Sequence, residues 1–122
     1  MKNWTKVILL VLIVSCGSKN QYDETELKEA YTVQQEILKS LPVIKDAMEV
    51  GNLASKDSLK DVIHEIEESL FEIPGYHLEL PGHEGHDHSH ERVELTSTEM
   101  VDVNKALLEQ IKEIKAYLNI NE

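Results

Sequence analysis

The chain is poor in cysteine, aromatic residues and basic residues, and each shortage excludes a class of protein. Its 122 residues include one Cys, so neither an internal disulfide nor a cysteine-based zinc site can hold the fold. Aromatic residues make up 5% of the chain, too few for the usual ligand pocket lined by aromatic rings. Lys and Arg number 12 against 23 Asp and Glu, and a net charge of −11 lacks the basic surface that nucleic-acid binding needs. The length fits at most one small domain.

Recognisable catalytic motifs are also missing. The sequence has no glycine-rich phosphate loop and no serine in a nucleophile elbow. The run from His83 to His86 reads His-Glu-Gly-His, which is one residue shorter than the helical zinc-protease motif. Asp61 and His64 have the three-residue spacing of carboxylate-bridged di-iron bundles, but such bundles need a second pair on a facing helix, and neither of the other predicted helices carries one. We therefore expect that the protein is not an enzyme.

The N-terminus has the layout of an export signal. Two lysines precede eight consecutive apolar residues, 7–14, and the small residues Ser15, Cys16 and Gly17 follow. At about 1.5 Å of helical rise per residue, this run covers about 12 Å of a hydrocarbon core about 30 Å thick. It is too short to span a membrane, which favours a cleaved signal peptide.

The end of the apolar run resembles the lipobox of bacterial lipoproteins, a likeness that covers about the first 17 residues and rests on Ile13, Val14, Ser15 and Cys16. The resemblance implies that the peptide 1–15 is removed and that Cys16 takes a diacylglycerol on its thiol and an acyl chain, such as palmitate, on its new amine. Two or three chains hold a protein firmly on a bilayer, since each buried CH₂ contributes about 0.8 kcal/mol. Gly17, where lipoproteins of the inner membrane often have Asp, implies the outer membrane in a diderm bacterium. The alternative is an ordinary signal peptide whose Cys is incidental.

The mature chain divides into a short tether and a helical domain. Residues 16–25 combine the lipidated Cys16 with small, polar or acidic residues typical of a flexible tether, and residues 26–122 form the domain. Apolar residues spaced by three and four from Glu24 onward predict the first helix: Leu27, Ala30, Val33, Ile37, Leu41, Ile44 and Met48. Pro42 either kinks or splits this helix, and Gly51 ends it.

Two further helices follow. Ser55 or Asp57 can cap the second, whose apolar stripe runs through Leu59, Val62, Ile63, Ile66, Leu70 and Phe71 before Pro74 and Gly75 stop it. Thr96 and Glu99 form the capping box of the third, whose stripe carries Met100, Val103, Leu107, Ile111, Ile114 and Leu118. Only residues 76–80 alternate as a strand would. We therefore predict an all-α, three-helix up-down-up bundle. Its core is small, which leaves room for self-association or a protein partner through the helical faces.

The sharpest chemical signal lies in the loop between helices two and three, residues 74–95. Four of the six histidines fall within eight residues there: His83, His86, His88 and His90. Imidazole is a good ligand for zinc, copper and nickel, and carboxylates can complete the shell. His77, Glu84, Asp87 and Glu91 are further candidates, as ligands or as groups that orient the imidazoles. The tract resembles the histidine-rich loops of metal-handling envelope proteins, over about ten residues.

Three interpretations of this loop follow from the same residues. The first is transition-metal binding by a lipid-anchored envelope protein, for buffering, scavenging or delivery. The second is an envelope interaction protein whose helices bind a partner and whose histidine-rich loop is an incidental disordered linker. The third is pH sensing, because nearby carboxylates favour the imidazolium form. Replacing the four clustered histidines with Ser discriminates the first from the second.

Overall fold

The structure, a computed structural model, describes residues 22–81 and 93–121. These residues form three helices, α1 (Glu24–Val50), α2 (Lys56–Ser69) and α3 (Ser97–Tyr117). Within the described ranges no residue belongs to a strand, including residues 76–80, whose alternating pattern had suggested one. The prediction of an all-α fold with three helices is confirmed. None of the described helices is long and apolar enough to cross a bilayer.

Helix α1 runs unbroken through Pro42. Its N-cap is Asp23, whose side chain accepts hydrogen bonds from the backbone N–H groups of Thr25 and Glu26 at 2.9 and 3.1 Å. Pro42 has no N–H to donate within the helix. The helix nevertheless continues, with Leu41 and Ile44 fully buried on either side of the proline. Gly51 ends it by donating its N–H to the Ala47 carbonyl at 3.0 Å. The helix is therefore not split at Pro42.

Helix α2 is shorter than the apolar pattern predicts. Ser55 occupies the N-cap position, but its side chain makes no capping hydrogen bond; its hydroxyl instead pairs with that of Tyr117 at 2.7 Å. The helix ends at Ser69, so the prediction that Leu70 and Phe71 lie within it is wrong. Both side chains are nevertheless buried, each with 4% of its surface exposed. The apolar pattern continues beyond the last helical turn because Leu70 and Phe71 are also buried.

Helix α3 begins with the predicted capping box. Thr96 Oγ1 accepts from the N–H of Glu99, and the Glu99 carboxylate accepts in return from the N–H of Thr96 at 2.8 Å. This arrangement satisfies backbone donors that the first turn of a helix otherwise leaves without partners. The start of α3 is therefore fixed by its own sequence.

The core lies between the helices in two clusters. The larger joins the middle and C-terminal parts of α1 to α2 and α3 through Ile37, Leu38, Leu41, Ile44, Met48, Ile63, Ile66, Leu70, Leu78, Leu107, Ile111 and Ile114. The smaller lies near the start of α1 and α3 and contains Leu27, Ala30, Phe71, Ile73, Met100 and Val101. Most of the predicted stripe positions are buried, but Val62 is 38% exposed. Helix α1 packs chiefly against α3.

Candidate metal-binding site

Most of the predicted site residues lie outside the described ranges. This holds for Cys16, for the four clustered histidines, and for the carboxylates that accompany them: His83, His86, His88, His90, Glu84, Asp87 and Glu91. Their roles as lipid acceptor and metal ligands stay predictions. Among the predicted ligands, His77 is the one that the structure places. Within residues 22–81 and 93–121, no three His, Cys, Asp or Glu side chains are grouped so that they could hold a metal ion.

The segment that leads from α2 toward the clustered histidines is packed on the bundle. Phe71, Ile73 and Leu78 are each at most 4% exposed, and Leu80 packs against the larger core cluster. A turn at Gly75, with φ at 85°, reverses the chain between Ile73 and Leu78. A positive φ of this size favours glycine because it has no Cβ. The chain is therefore held in place up to Pro81, the last residue described before the histidine cluster.

A buried side chain of α1 anchors the same segment. Gln34 is 1% exposed and donates from Nε2 to the carbonyl oxygen of Phe71 at 2.8 Å. The rings of Tyr31 and Tyr76 pack against the smaller core cluster and stack with their centroids 4.2 Å apart and their planes 18° from parallel. The hydrogen bond supplies the partner that a buried carbonyl needs just beyond the end of a helix.

His77 lies at the rim of a groove of about 470 Å³ between α1 and this segment, lined by Tyr31, Gln35, Leu38, Lys39, His77, Glu79 and Pro81. Its imidazole is 74% exposed, and its Nδ1 lies 3.7 Å from Glu72 Oε1. An exposed imidazole beside a carboxylate can supply one nitrogen ligand whose orientation the carboxylate influences. It does not make a coordination shell by itself, since zinc sites use at least three protein ligands.

His64, the other described histidine, has a structural partner. Its Nε2 lies 3.2 Å from Glu68 Oε1, one turn further along α2, and both side chains are 69% exposed. Residues four apart on a helix are neighbours, which brings Glu68 next to His64. Glu67 pairs with Lys45 of α1 instead, with only 12% of its side chain exposed. His64 also borders a groove of about 220 Å³ between α1 and α2. It is remote in sequence from the histidine cluster and is not a predicted ligand.

The chain re-enters the described domain beside the start of α1. The backbone N–H of Asp23 donates to Ser97 Oγ at 3.0 Å. The Ser97 hydroxyl donates in turn to the Glu26 carboxylate, which also accepts from Thr98 Oγ1 at 3.0 Å. Sequence reasoning missed these contacts because Glu26 and Ser97 read as ordinary first-turn residues. The available signal was their position in the first turns that Asp23 and Thr96 cap, with Glu26 three residues after Asp23 and Ser97 directly after Thr96.

Two ionisable groups near this end of the bundle have shifted pKa values. The backbone and side-chain hydrogen bonds from Thr96 favour the charged form of Glu99 and lower the pKa of its carboxyl group. A hydrogen bond and charge attraction from Glu29, 2.6 Å away, raise the pKa of Lys105. Both groups are fully ionised at neutral pH. They tie α3 to its own cap and to α1, which is a structural role.

Asn104 is a buried polar residue that the sequence pattern did not reveal. It is fully buried on α3, and its Nδ2 donates to the Met100 carbonyl at 2.9 Å. Its Oδ1 has no hydrogen-bond partner among the described residues. Position 104 lies four residues after Met100 and three before Leu107, on the apolar face of α3, so the spacing is consistent with its burial although the residue is polar.

Comparison of the chain with protein-family models, with curated proteins and with solved structures found no match. Its function is therefore inferred from its own residues and their arrangement.

Proposed function

We propose that the protein is a lipid-anchored lipoprotein of the bacterial cell envelope whose histidine-rich segment binds zinc, copper or nickel ions for buffering, scavenging or delivery. The observation that carries the metal-binding proposal is the clustering of His83, His86, His88 and His90 within eight residues. Four neutral imidazoles so close in sequence can supply the nitrogen ligands that these ions prefer. Glu84, Asp87 and Glu91 would contribute oxygen ligands or orient the imidazoles.

The described fold supports a metal site that lies outside the core of the helical bundle. Both described histidines are exposed on the surface, and the two core clusters contain no histidine. The segment between Pro81 and Val93 is bounded by packed chain on one side and by the capping box of α3 on the other. A metal site there would be held by a bundle that is already folded. Fixing the backbone of one residue costs about 1 to 2 kcal/mol in entropy, so any residue that metal binding has to order would lower the affinity.

The anchor follows from the position of the single cysteine. Cys16 follows the apolar run 7–14 with only Ser15 between them, the place that the lipobox requires. Incorporation of labelled palmitate in bacterial cells tests this: we expect label in the native chain and none in the Cys16→Ser variant. Equal labelling of both chains, or of neither, would contradict the anchor.

We also infer that the helices run up, down and up along the bundle. The ion pairs of Lys45 with Glu67 and of Lys56 with Glu49 support opposite directions for α1 and α2, since the later α1 residue meets the earlier α2 residue. The contacts of Asp23 with Ser97 and of Glu29 with Lys105 support a shared direction for α1 and α3. In this proposed topology, a long histidine-rich loop connects the end of α2 to the start of α3.

Calorimetric titration tests the metal proposal directly. Zinc, copper and nickel salts are titrated into the mature chain from Gly17 and into a variant in which His83, His86, His88 and His90 are Ser. We expect saturable binding at micromolar or tighter affinity that the variant loses. A matched variant with Ser at His64 and His77 removes two histidines outside the cluster and should keep most of the affinity. Equal binding by all three chains would make the loop an incidental linker.

A further inference from the structure

Helix α2 is attached to the bundle by fewer buried side chains than the other two helices. Of its 14 residues, Ile63 and Ile66 are the two that are buried. That is one residue in seven, against one in three for α3, which buries seven of its 21 residues. Helix α1 buries eight residues. Because packing of the apolar face supplies most of the free energy that holds a helix in a protein, α2 is the most weakly held of the three.

The polar contacts between α2 and α1 add little to this attachment. They are three ion pairs, of Lys45 with Glu67 and of Lys56 and Lys60 with Glu49. In the last of these, the two side chains are 53% and 68% exposed and the charged atoms are 3.9 Å apart. Exposed ion pairs stabilise a fold only slightly, because water already solvates both charges. A groove of about 220 Å³ also lies between the two helices.

Both ends of α2 lack interactions that stabilise helix termini. Ser55 at the N-cap makes no side-chain capping hydrogen bond, and the last turn contains no basic residue. Glu67 and Glu68 lie in that last turn, where negative charge is unfavourable beside the negative end of the helix dipole. By contrast, α3 has a capping box at its start and Lys115 in its last turn. A 14-residue helix is only marginally stable in water, so α2 would unfold on leaving the bundle.

The chain on either side of α2 is held in place without it. Before α2, Gly51 donates its N–H to the Ala47 carbonyl at the end of α1. After α2, the Phe71 carbonyl accepts from Gln34 of α1, and Phe71 belongs to the smaller core cluster. That cluster joins α1 to α3 and contains no residue of α2. The pairing of α1 with α3 therefore has contacts of its own.

We propose that α2 opens as a unit while α1 and α3 stay paired, so that the protein has a partly open state besides the native and the fully unfolded ones. The opening spans residues 52–69, between the fixed points Gly51 and Phe71. It uncovers Ile63 and Ile66, together with Met48 of α1, which lines the groove between the two helices. Apolar surface on this side of the bundle thus becomes accessible without global unfolding. The inference does not depend on the lipid anchor or on metal binding.

Native-state hydrogen exchange followed by NMR tests the opening. The chain from Gly17 to Glu122, which contains all three helices, is exchanged at urea concentrations below its unfolding transition. In the absence of urea, we expect the amides of Ile63 and Ile66 to be at least about ten-fold less protected than those of Ile37 in α1 and Ile111 in α3. Their protection should also fall less steeply with urea, because the opening exposes less surface than global unfolding does. Equal protection and equal urea dependence at all four amides would overturn the inference.

Two matched substitutions give a second readout. Ile73→Val removes one methyl group from the smaller core cluster, and Ile63→Val removes the same group from α2. We expect Ile73→Val to lower the protection of Ile37 and Ile111 by about two- to ten-fold and to leave that of Ile66 unchanged, since its site stays folded in the open state. Ile63→Val should lower all three by a similar factor.

The two variants also define the result that contradicts the opening. An equal loss at Ile37, Ile66 and Ile111 in the Ile73→Val chain would mean that α2 opens only when the whole protein unfolds. Unchanged protection of Ile66 in the Ile63→Val chain would mean that its amide exchanges without release of the apolar face of α2. Either result overturns the inference. Both substitutions are conservative, and the native chain alone supplies the comparison of urea dependence.

Discussion

Gln34 Nε2 donates a 2.8 Å hydrogen bond to the carbonyl oxygen of Phe71, two residues beyond the end of α2. The donor side chain is 1% exposed and Phe71 is 4% exposed, so water cannot easily replace the bond. A buried carbonyl without a partner destabilises a fold by about 1 to 3 kcal/mol. This contact therefore helps to hold the chain on α1 as it passes from α2 toward the histidine-rich segment.

Replacing Gln34 with a residue of similar shape but without an amide tests whether its hydrogen bond to Phe71 stabilises the fold. The Gln34→Met variant leaves the Phe71 carbonyl without its donor, and we expect the free energy of unfolding to fall by about 1 to 3 kcal/mol. Urea denaturation monitored by circular dichroism measures it. Gln35→Met, one position along on the half-buried side of α1, is the matched control and should change stability by less than about 0.5 kcal/mol. Equal effects of the two substitutions would contradict the assignment.

Replacing Asn104 with an apolar residue of similar size should have the opposite effect on the free energy of unfolding. Its Oδ1 is buried and has no hydrogen-bond partner among residues 22–81 and 93–121. Leucine has nearly the same size and no polar atom to bury, so we expect Asn104→Leu to raise the free energy of unfolding by about 1 kcal/mol. Asn104→Ala should lower it, because truncation leaves a cavity in the core. A loss of stability in the Leu variant, measured by the same urea titration, would show that Asn104 is better satisfied than its contacts indicate.

The turn at Gly75 gives a test of backbone conformation without a packing change. Its φ is 85°, and an added Cβ would have no neighbour within 4 Å. Gly75→Ala should therefore lower the free energy of unfolding by about 1 kcal/mol through backbone strain alone. Gly75→Asn should cost less, since Asn tolerates positive φ better than Ala does. Thermal unfolding of the three chains gives the ranking, and an Ala variant as stable as the native chain would refute it.

The capping box makes part of the stability pH-dependent. The hydrogen bonds from Thr96 lower the pKa of Glu99 below its ordinary value of 4.5 in the folded state. A lowered folded-state pKa stabilises the fold above the unfolded value, and this contribution is lost as the pH falls through the folded value. We expect Glu99→Gln to unfold at a lower temperature than the native chain at pH 7, with the gap closing below pH 4.5. The control, Glu113→Gln, removes the same charge elsewhere on α3. If its unfolding temperature differed from that of the native chain by the same amount and with the same pH dependence, the role of the cap would be contradicted.

The helices could be predicted from the sequence because their signals are local. Apolar spacing located all three, and the Thr96 and Glu99 pair marked the start of α3 to the residue. The end of α2 could not be predicted in the same way. Leu70 and Phe71 continue the apolar spacing, yet they are buried by contacts with distant parts of the chain after the helix has ended. Periodicity reports burial, and it cannot separate a buried helical residue from a buried residue beyond the cap.

The surroundings of the candidate site were less predictable because they depend on distant pairs. The contact of Gln34 with Phe71 joins residues 37 positions apart, and that of Asp23 with Ser97 joins residues 74 apart. The spacing places Gln34 on the apolar face of α1, four residues after Ala30 and three before Ile37, but it does not identify the distant carbonyl that Gln34 binds. The alternating residues 76–80 did carry a usable signal: Leu78 is buried and Leu80 packs on the core, although no strand forms there. The histidine cluster and Cys16 needed no fold to be noticed, and their roles stay predictions.

Metal binding by the histidine-rich segment should weaken as the pH falls. An imidazole must be neutral to bind a metal ion, and its ordinary pKa is about 6.5. An imidazole with this ordinary pKa is mostly neutral at pH 7.5 and mostly protonated at pH 5.5, so a metal ion must displace protons to bind at the lower pH. If two imidazoles are needed, we expect the affinity for zinc to fall by about 100-fold, since each adds about one factor of ten. Calorimetric titrations at the two pH values measure the change, with the variant carrying Ser at His64 and His77 as the control that should follow the native chain. Equal affinity at pH 7.5 and 5.5 would mean that carboxylates, and not imidazoles, hold the ion.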